Sequence, residues 1–244
     1  MSNKRIDLSG EFIFDFVDED SSVRDCSLQP NDYSNCDSLA ICEFDNMLRL
    51  PKFVTKCVAV GIKPICGVRF ILKTPEDCFV DNLRILCYAE DEEGTTELET
   101  LYNRSIFDCL KYEDLCRFSK NIQVGLDITD NESNMLSIEN IIKTVFIPDF
   151  ILINENQHHF ECWEKCQRFL ELKSILICGG DFFRGLSDDD EIVITKDYAA
   201  FGYKAYEYVI ENPRKIADRI SGNYKFNVSL IEKIKARKEW NSRR

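Results

Sequence analysis

Apolar and polar residues follow one another in this chain in a pattern typical of strands that alternate with helices. Between Ser38 and Leu72 the segment SLAICEFDNMLRLPKFVTKCVAVGIKPICGVRFIL predicts a strand, a helix and a second strand. Pro51 suits the first turn of that helix, and Gly61 suits its end. Two strands joined by a helix of this length form a parallel β-α-β unit.

The remainder of the chain continues the alternation. Further strands are predicted at Glu11–Val17, Asn82–Ala89, Ile122–Ile128, Phe146–Asn154 and Ser174–Phe183. Further helices are predicted at Thr95–Phe107, Tyr112–Ser119, Asn134–Val145, His159–Leu172, Ala199–Ile210, Pro213–Ile220 and Asn227–Trp240. Short connections between such elements predict an α/β fold with a parallel sheet, open or closed into a barrel. No repeat or linker divides the sequence, so residues 1–244 are predicted to form a single domain.

Four residues of the opening β-α-β unit are the first candidates for a functional site. Glu43, Phe44 and Asp45 end the first strand, and Arg69 lies in the second strand, beyond Gly67. Parallel α/β sheets carry their sites at the carboxyl ends of the strands. These side chains are therefore expected around one rim of the sheet.

Composition indicates a soluble chain with an acidic body. Hydrophobic residues make up 44% of the sequence, enough for a core, and no apolar run approaches the ~20 residues that span a bilayer. The first residues, MSNKRIDLSGEF, lack the apolar centre of a signal peptide, so a cytoplasmic location without membrane contact is expected. The formal charge of −12 makes the body a poor binder of nucleic acid.

The charge changes sign at the end of the chain. The last twenty residues, KFNVSLIEKIKARKEWNSRR, carry seven basic and two acidic side chains. A basic helix or tail is therefore predicted over about residues 226–244. It is either a solvated terminal helix or an arm that contacts a partner, with nucleic acid bound weakly at most.

The twelve cysteines include no C-x-x-C pair, so zinc-ribbon spacing is missing. Several stand inside apolar strand-like runs and are expected to behave as reduced, small hydrophobes: Cys42, Cys66, Cys87 and Cys178. His158 and His159 with Cys162 and Cys166 are either metal ligands on one helix face or an exposed histidine pair beside half-buried thiols. The sequence contains no P-loop, G-x-S-x-G or G-x-G-x-x-G pattern.

Several segments, in the same order, resemble the PHP (polymerase and histidinol phosphatase) domain, and most of all the version in bacterial DNA polymerase III alpha subunits. AICEFDNML and AVGIKPICGVRFIL are similar to that family's Thr-Asp-His-Gly-Asn-Met and Gly-Ile-Lys-Pro-Ile-x-Gly-x-Glu motifs. LRILCYAEDEEGTTELETL, SILICGGDFF and ENPRKIADRISGNYKF resemble later segments, so the likeness extends over about residues 11–226. It implies a distorted (β/α)7 barrel with two or three divalent metal ions at its carboxyl rim.

The resemblance also implies that most metal ligands have been replaced. The positions that match the family's ligands form a degenerate cleft: Phe14, Phe16, Asp18, Glu43, Phe44, Asp45, Arg69, Asp181 and Phe183. Phenylalanine has no lone pair for a metal, and arginine repels one. Asp18, Glu43 and Asp181 remain weak candidates for one hard cation. Alternatively, Arg69 replaces the cations by neutralising Glu43 or Asp181, with the phenylalanines filling the space.

The function expected from the resemblance is that of a catalytically degenerate PHP-like module without catalytic residues or cofactor. It would bind or support a protein partner, such as one from a replication system. One alternative is a phosphoesterase dependent on Mg, Mn or Zn, with a site rebuilt from Asp18, Glu43, Asp45 and Asp181. A second alternative is a small-anion sensor in which Arg69 receives a phosphate or carboxylate.

Overall fold

The structure is a computed structural model that describes residues 5–7, 36–74, 82–127, 148–154, 174–178 and 211–243. Its strands are β1 (Arg5–Asp7), β2 (Cys36–Phe44), β3 (Lys63–Lys73), β4 (Asn82–Ala89), β5 (Leu110–Lys111), β6 (Ile122–Asp127), β7 (Phe150–Asn154) and β8 (Ser174–Cys178). Its helices are α1 (Leu50–Ala59), α2 (Glu92–Ser105), α3 (Tyr112–Phe118), α4 (Asn212–Arg219) and α5 (Val228–Ser242). None of these helices is long and apolar enough to cross a bilayer.

The opening β-α-β unit forms as the sequence predicts. Pro51 lies in the first turn of α1, and Gly61 follows the helix with φ of 76°, a backbone angle that glycine adopts without strain. Strands β2 and β3 pair in parallel, with Phe44 opposite Arg69. Helix α1 buries Leu50, Phe53 and Cys57, which have the predicted helical spacing.

The sheet is mixed, so the expectation of a parallel sheet was wrong for one strand. The strand order is β1-β2-β3-β4-β6-β7-β8, and the short β5 pairs with β3. Strand β4 runs antiparallel to both of its neighbours, while the other strand pairs of the described residues are parallel. The connection from β3 to β4 spans residues 74–81. This is shorter than the crossover that a parallel pair requires, so β4 pairs with β3 in the antiparallel sense.

The sheet curls around helix α4. This helix contacts both β1 and β8, the two ends of the strand order, and its Ile216 and Ala217 pack with central residues such as Leu86. A single helix can touch both ends and the middle only if the sheet is curved. Strands β1 and β8 do not pair with each other in the described residues, which therefore form a curled, half-barrel sheet.

Alternate residues of the strands face two separate cores. The inner face, toward α4, is formed by Ala40, Cys42, Ile65, Leu86, Tyr88, Phe150 and Leu152. The outer face packs against α1, α2 and α5 through residues such as Ile41, Val68 and Ile85. Cys42, Cys66 and Cys87 are buried free thiols, which confirms their prediction as small hydrophobes.

The segment after α4 closes one end of the inner face. The Tyr224 hydroxyl accepts a hydrogen bond from the Cys66 backbone N–H at 3.1 Å and lies 3.2 Å from the Pro64 carbonyl oxygen. Lys63 Nζ donates to the Ala217 carbonyl oxygen at 2.6 Å. These contacts hold the amino end of β3 against α4 and the segment that follows it.

Helix α5 then runs along the outer face toward the carboxyl rim. Near its start the Asn227 backbone N–H donates to Glu99 Oε1 at 2.7 Å. Ile231 and Ile234 are buried in the outer core, and further along Lys238 reaches the loop after β2. The predicted basic helix thus exists, and the structure places its carboxyl half beside the candidate site.

Several sequence predictions lie outside the described residues. They concern the strand at Glu11–Val17, the helices at Asn134–Val145, His159–Leu172 and Ala199–Ile210, and the histidine and cysteine pairs of residues 158–166. The cleft positions Phe14, Phe16, Asp18, Asp181 and Phe183 also lie outside them, as does the side chain of Cys178.

Candidate functional site

Four of the predicted cleft residues are described, and they meet at the carboxyl end of β2. Glu43 and Phe44 are its last residues, Asp45 follows directly, and Arg69 lies opposite Phe44 on β3. The Asp45 backbone N–H donates to the Arg69 carbonyl oxygen at 2.8 Å, which fixes the turn after the strand. The four residues are therefore neighbours in space, but their side chains have different partners.

The Glu43 carboxylate is held by residues of its own loop. Its two oxygens accept hydrogen bonds from the Arg49 guanidinium and, at 2.6 Å, from the Asn46 side-chain amide. The Glu43 and Arg49 side chains are only 13% and 16% exposed. Arg49, which lies at the start of α1, is the residue that neutralises Glu43. The alternative in which Arg69 does so is therefore wrong.

The Asp45 carboxylate joins three separate segments. The residue has φ of 49°, a left-handed conformation that aspartate tolerates better than most residues. Its Oδ1 accepts a hydrogen bond from Ser105 Oγ at 2.6 Å, at the end of α2. Its Oδ2 forms an ion pair with Lys238 of α5, whose ammonium group also donates to the Asp45 carbonyl oxygen at 3.2 Å. Asp45 therefore binds the ends of β2, α2 and α5 together.

Arg69 lies on the inner face and pairs with a carboxylate that the sequence interpretation had not selected. Its Nε is 3.6 Å from Asp127 Oδ2, and the two side chains are 14% and 1% exposed. Asp127 is the last residue of β6, so the pair spans the intervening strand β4. A carboxylate with 1% exposure requires a nearby positive charge, which Arg69 supplies.

Two aromatic rings fill the inner face next to this ion pair. A Cβ placed on Gly67 would lie 2.6 Å from Cδ1 of Tyr88, and one on Gly125 would lie 2.1 Å from Cε2 of Phe150. The rings therefore lie directly over the two glycines. They also stack on each other, with centroids 5.6 Å apart. The rings of Tyr88 and Phe150 therefore fill this part of the inner face.

Phe44 does not help to fill the cleft, contrary to the sequence expectation for the phenylalanines. Its side chain is 52% exposed at the end of β2. The strand ends there, so the ring extends beyond the part of the sheet that its neighbours cover. Tyr88 and Phe150 occupy the inner face instead.

The buried Cys42 thiol lies near both charges of this ion pair. Its pKa is raised to about 12, because the effect of burial outweighs the opposing Arg69 charge, and the Asp127 carboxylate acts in the same direction as burial. The thiol is therefore protonated at neutral pH and is a poor nucleophile. No cysteine chemistry follows from its place beside the ion pair.

Each of the three carboxylates described above forms an ion pair with a basic side chain. Glu43 pairs with Arg49, Asp45 with Lys238, and Asp127 with Arg69. In the described part of the chain, no group of three histidine, cysteine or carboxylate side chains is arranged to hold a metal ion. These described residues do not by themselves provide the oxygen-rich cage that a hard divalent cation prefers.

Sequence reasoning missed the partners of Glu43, Asp45 and Arg69, and three of these partners show why. Asp127 could have been selected from the sequence, because it ends a buried strand and lies on the same face of that strand as Gln123 and Gly125. Ser105 and Lys238 reach Asp45 from 60 and 193 residues away in the chain. No local pattern could have indicated those two contacts.

Burial raises the pKa of Glu43, although Arg49 and two hydrogen bonds oppose the shift. A raised folded-state pKa adds stability at a pH below the unfolded-state value, and this contribution is lost as the pH rises through the folded-state value. The free energy of unfolding of the wild type, relative to Glu43→Gln, is therefore expected to fall between about pH 4 and pH 7. Urea unfolding of both proteins at the two pH values measures it. A relative stability that rises over this range would contradict the assignment.

No protein-family model and no curated protein sequence matches the chain. Among solved structures, it is similar to a chain from Bifidobacterium adolescentis described as a metal-dependent phosphoesterase, with 10% identity and a TM-score of 0.40. It is also similar to an amidohydrolase from Chromobacterium violaceum solved with bound sulfate and no metal, with 9% identity and a TM-score of 0.41. Each comparison covers 67% of this chain and 87% of the other.

Proposed function

We propose that this chain is a PHP-like domain that has exchanged metal chemistry for internal ion pairs, and that it acts as a binding or structural module for a partner protein. The resemblance of its sequence segments to the PHP domain of DNA polymerase III alpha subunits is the source of the family assignment. On that assignment, the partner would belong to a replication system. Closure of the seven-strand path from β1 to β8 into a distorted (β/α)7 barrel, with the short β5 outside it, is part of the same proposal.

The pairing of Arg69 with Asp127 is the observation that carries this proposal. Arg69 stands at the position that matches a metal-binding glutamate in the resembling family. Its guanidinium is 3.6 Å from a carboxylate that is 1% exposed, in the place where a cation would otherwise be needed. A fixed positive charge there stabilises the fold and opposes the approach of a divalent ion.

The chemistry of phosphate-ester hydrolysis supports the same conclusion. Metal ions in such sites generate the attacking hydroxide and stabilise the charge that develops on the phosphoryl oxygens. A guanidinium can contribute to the second role but cannot lower the pKa of a bound water as a metal does. A binding role requires none of these features.

The proposal is tested by incubating the purified full chain with a chromogenic phosphate ester and added Mn²⁺ or Zn²⁺, with metal analysis of the same preparation made without chelator. The expected result is no turnover above that of buffer with metal, and less than one tightly held transition metal per chain. Two tightly held metals per chain would overturn the proposal.

Two variants show whether any observed turnover of the phosphate ester depends on the alternative carboxylate site. Asp181→Ala removes a carboxylate of the alternative phosphoesterase site, and Asp108→Ala removes an exposed carboxylate after α2 as a matched control. Metal-dependent turnover that disappears in Asp181→Ala and persists in Asp108→Ala would establish the phosphoesterase instead. In thermal unfolding, stabilisation by phosphate that is lost in Arg69→Met but kept in Arg104→Met would establish the anion sensor instead.

A further inference from the structure

Helix α5 buries one face against the rest of the protein. Ile231 and Ile234 are 1% exposed in the outer core, and Lys238 binds Asp45. These residues follow one another at three- and four-residue intervals, so they share one face of the helix. The other described side chains of this 15-residue helix are exposed.

The opposite face carries an exposed tryptophan among basic side chains. Lys233, Arg237 and Trp240 follow at helical spacing and lie on the face away from Ile231. Trp240 is 55% exposed, and Arg243 lies on its other side in the helical projection. We call Lys233, Arg237, Trp240 and Arg243 the outer stripe.

The charge of the outer stripe contrasts with that of the whole chain. The last twenty residues hold seven basic and two acidic side chains, whereas the preceding 224 residues hold 24 basic and 41 acidic ones. Of the two acidic residues, Glu239 already forms an ion pair with Lys235, at 3.6 Å along the helix. The stripe is therefore a basic surface on an acidic protein.

We propose that the outer stripe is the docking surface for an acidic segment of a partner protein, with Trp240 as its apolar anchor. Tryptophan and arginine are the residues that contribute most often to the free energy of protein–protein binding. Complementary charge steers the approach and fixes the orientation of the partner. The inference rests on the proposed function as a binding module and names the surface and partner chemistry of that module.

Nucleic acid is the less suitable occupant, although aromatic and basic residues together can bind single strands. A polynucleotide carries negative charge along its whole length, so it would also meet the repulsion of the acidic body. A short acidic peptide segment confines its charge to the stripe. The charge distribution therefore favours the protein segment.

The test measures binding of a fluorescein-labelled helical peptide of about four turns, with glutamate and leucine at amphipathic spacing, to the full chain by fluorescence anisotropy. Binding is expected to weaken by about tenfold or more in Arg237→Glu/Arg243→Glu and in Trp240→Ala. Arg117→Glu, an exposed arginine on α3, is the matched control and is expected to stay within about twofold of the wild type. All substituted residues are exposed, so each variant is expected to fold, which circular dichroism checks.

Several results would overturn the inference. They are absence of peptide binding, binding that the stripe substitutions leave unchanged, or tighter binding of an oligothymidylate of equal charge. Self-association in sedimentation that the stripe substitutions abolish would identify a second copy as the occupant instead. Phosphate-ester turnover by the same preparation would contradict the proposed function, whereas the peptide assay tests the docking surface. A failure of the proposed function can therefore be distinguished from a failure of this inference.

Discussion

Replacing Arg69 by methionine is expected to lower the free energy of unfolding by about 3–5 kcal/mol. The substitution leaves the Asp127 carboxylate, which is 1% exposed, beside an apolar side chain. Removing one member of a buried ion pair costs more than the pair itself contributes, because the remaining charge keeps its desolvation penalty. Denaturant unfolding of the purified variant measures the loss.

The double variant Arg69→Met/Asp127→Leu separates this cause from lost packing. It removes both charges, so most of the lost stability is expected to return. Arg104→Met is the matched control: Arg104 pairs with Asp114 while 44% exposed, and such surface pairs contribute about 1 kcal/mol or less. If Arg69→Met costs no more than Arg104→Met, the inner ion pair does not have the role assigned to it.

Gly125→Ala is expected to lower the free energy of unfolding by about 3 kcal/mol, near the upper end of the range for overpacking. The added Cβ would lie 2.1 and 2.2 Å from two carbons of the Phe150 ring, so the ring must move. That movement would disturb its stacking on Tyr88. The preference of strands for alanine over glycine offsets only about 0.5–1 kcal/mol of the loss.

A double-mutant cycle with Phe150→Leu tests whether the ring is the cause. The smaller side chain makes room for the Cβ, so the double variant is expected to lose less than the sum of the single variants by about 1 kcal/mol or more. Phe150→Leu alone supplies the control for lost ring packing. Simple additivity would show that Gly125 is required for another reason.

The two predictions concern adjacent parts of one structural unit. The ion pair and the aromatic layer of Tyr88 and Phe150 both occupy the inner face of the curled sheet. Each is expected to stabilise the fold. The proposed docking surface lies outside this unit, on the outer stripe of helix α5.

Much of the backbone plan was predictable from local patterns. Helical spacing and the positions of Pro51 and Gly61 located α1 to within a few residues, and the apolar run NLRILCYA defined β4. The direction of β4 was not predictable in this way. An apolar run indicates a buried strand, but the neighbours that it pairs with, and in which sense, depend on the rest of the sheet.

The sequence by itself determined the alternation of strands and helices, the meeting of Glu43, Phe44, Asp45 and Arg69 at one rim, and the basic character of the last helix. These follow from side-chain periodicity and composition, which act over a few residues. Only the tertiary structure decided which charges meet. It joined Arg69 to Asp127, Glu43 to Arg49 and Asp45 to Lys238, because a buried or half-buried carboxylate pairs with a cation that the folded chain brings near.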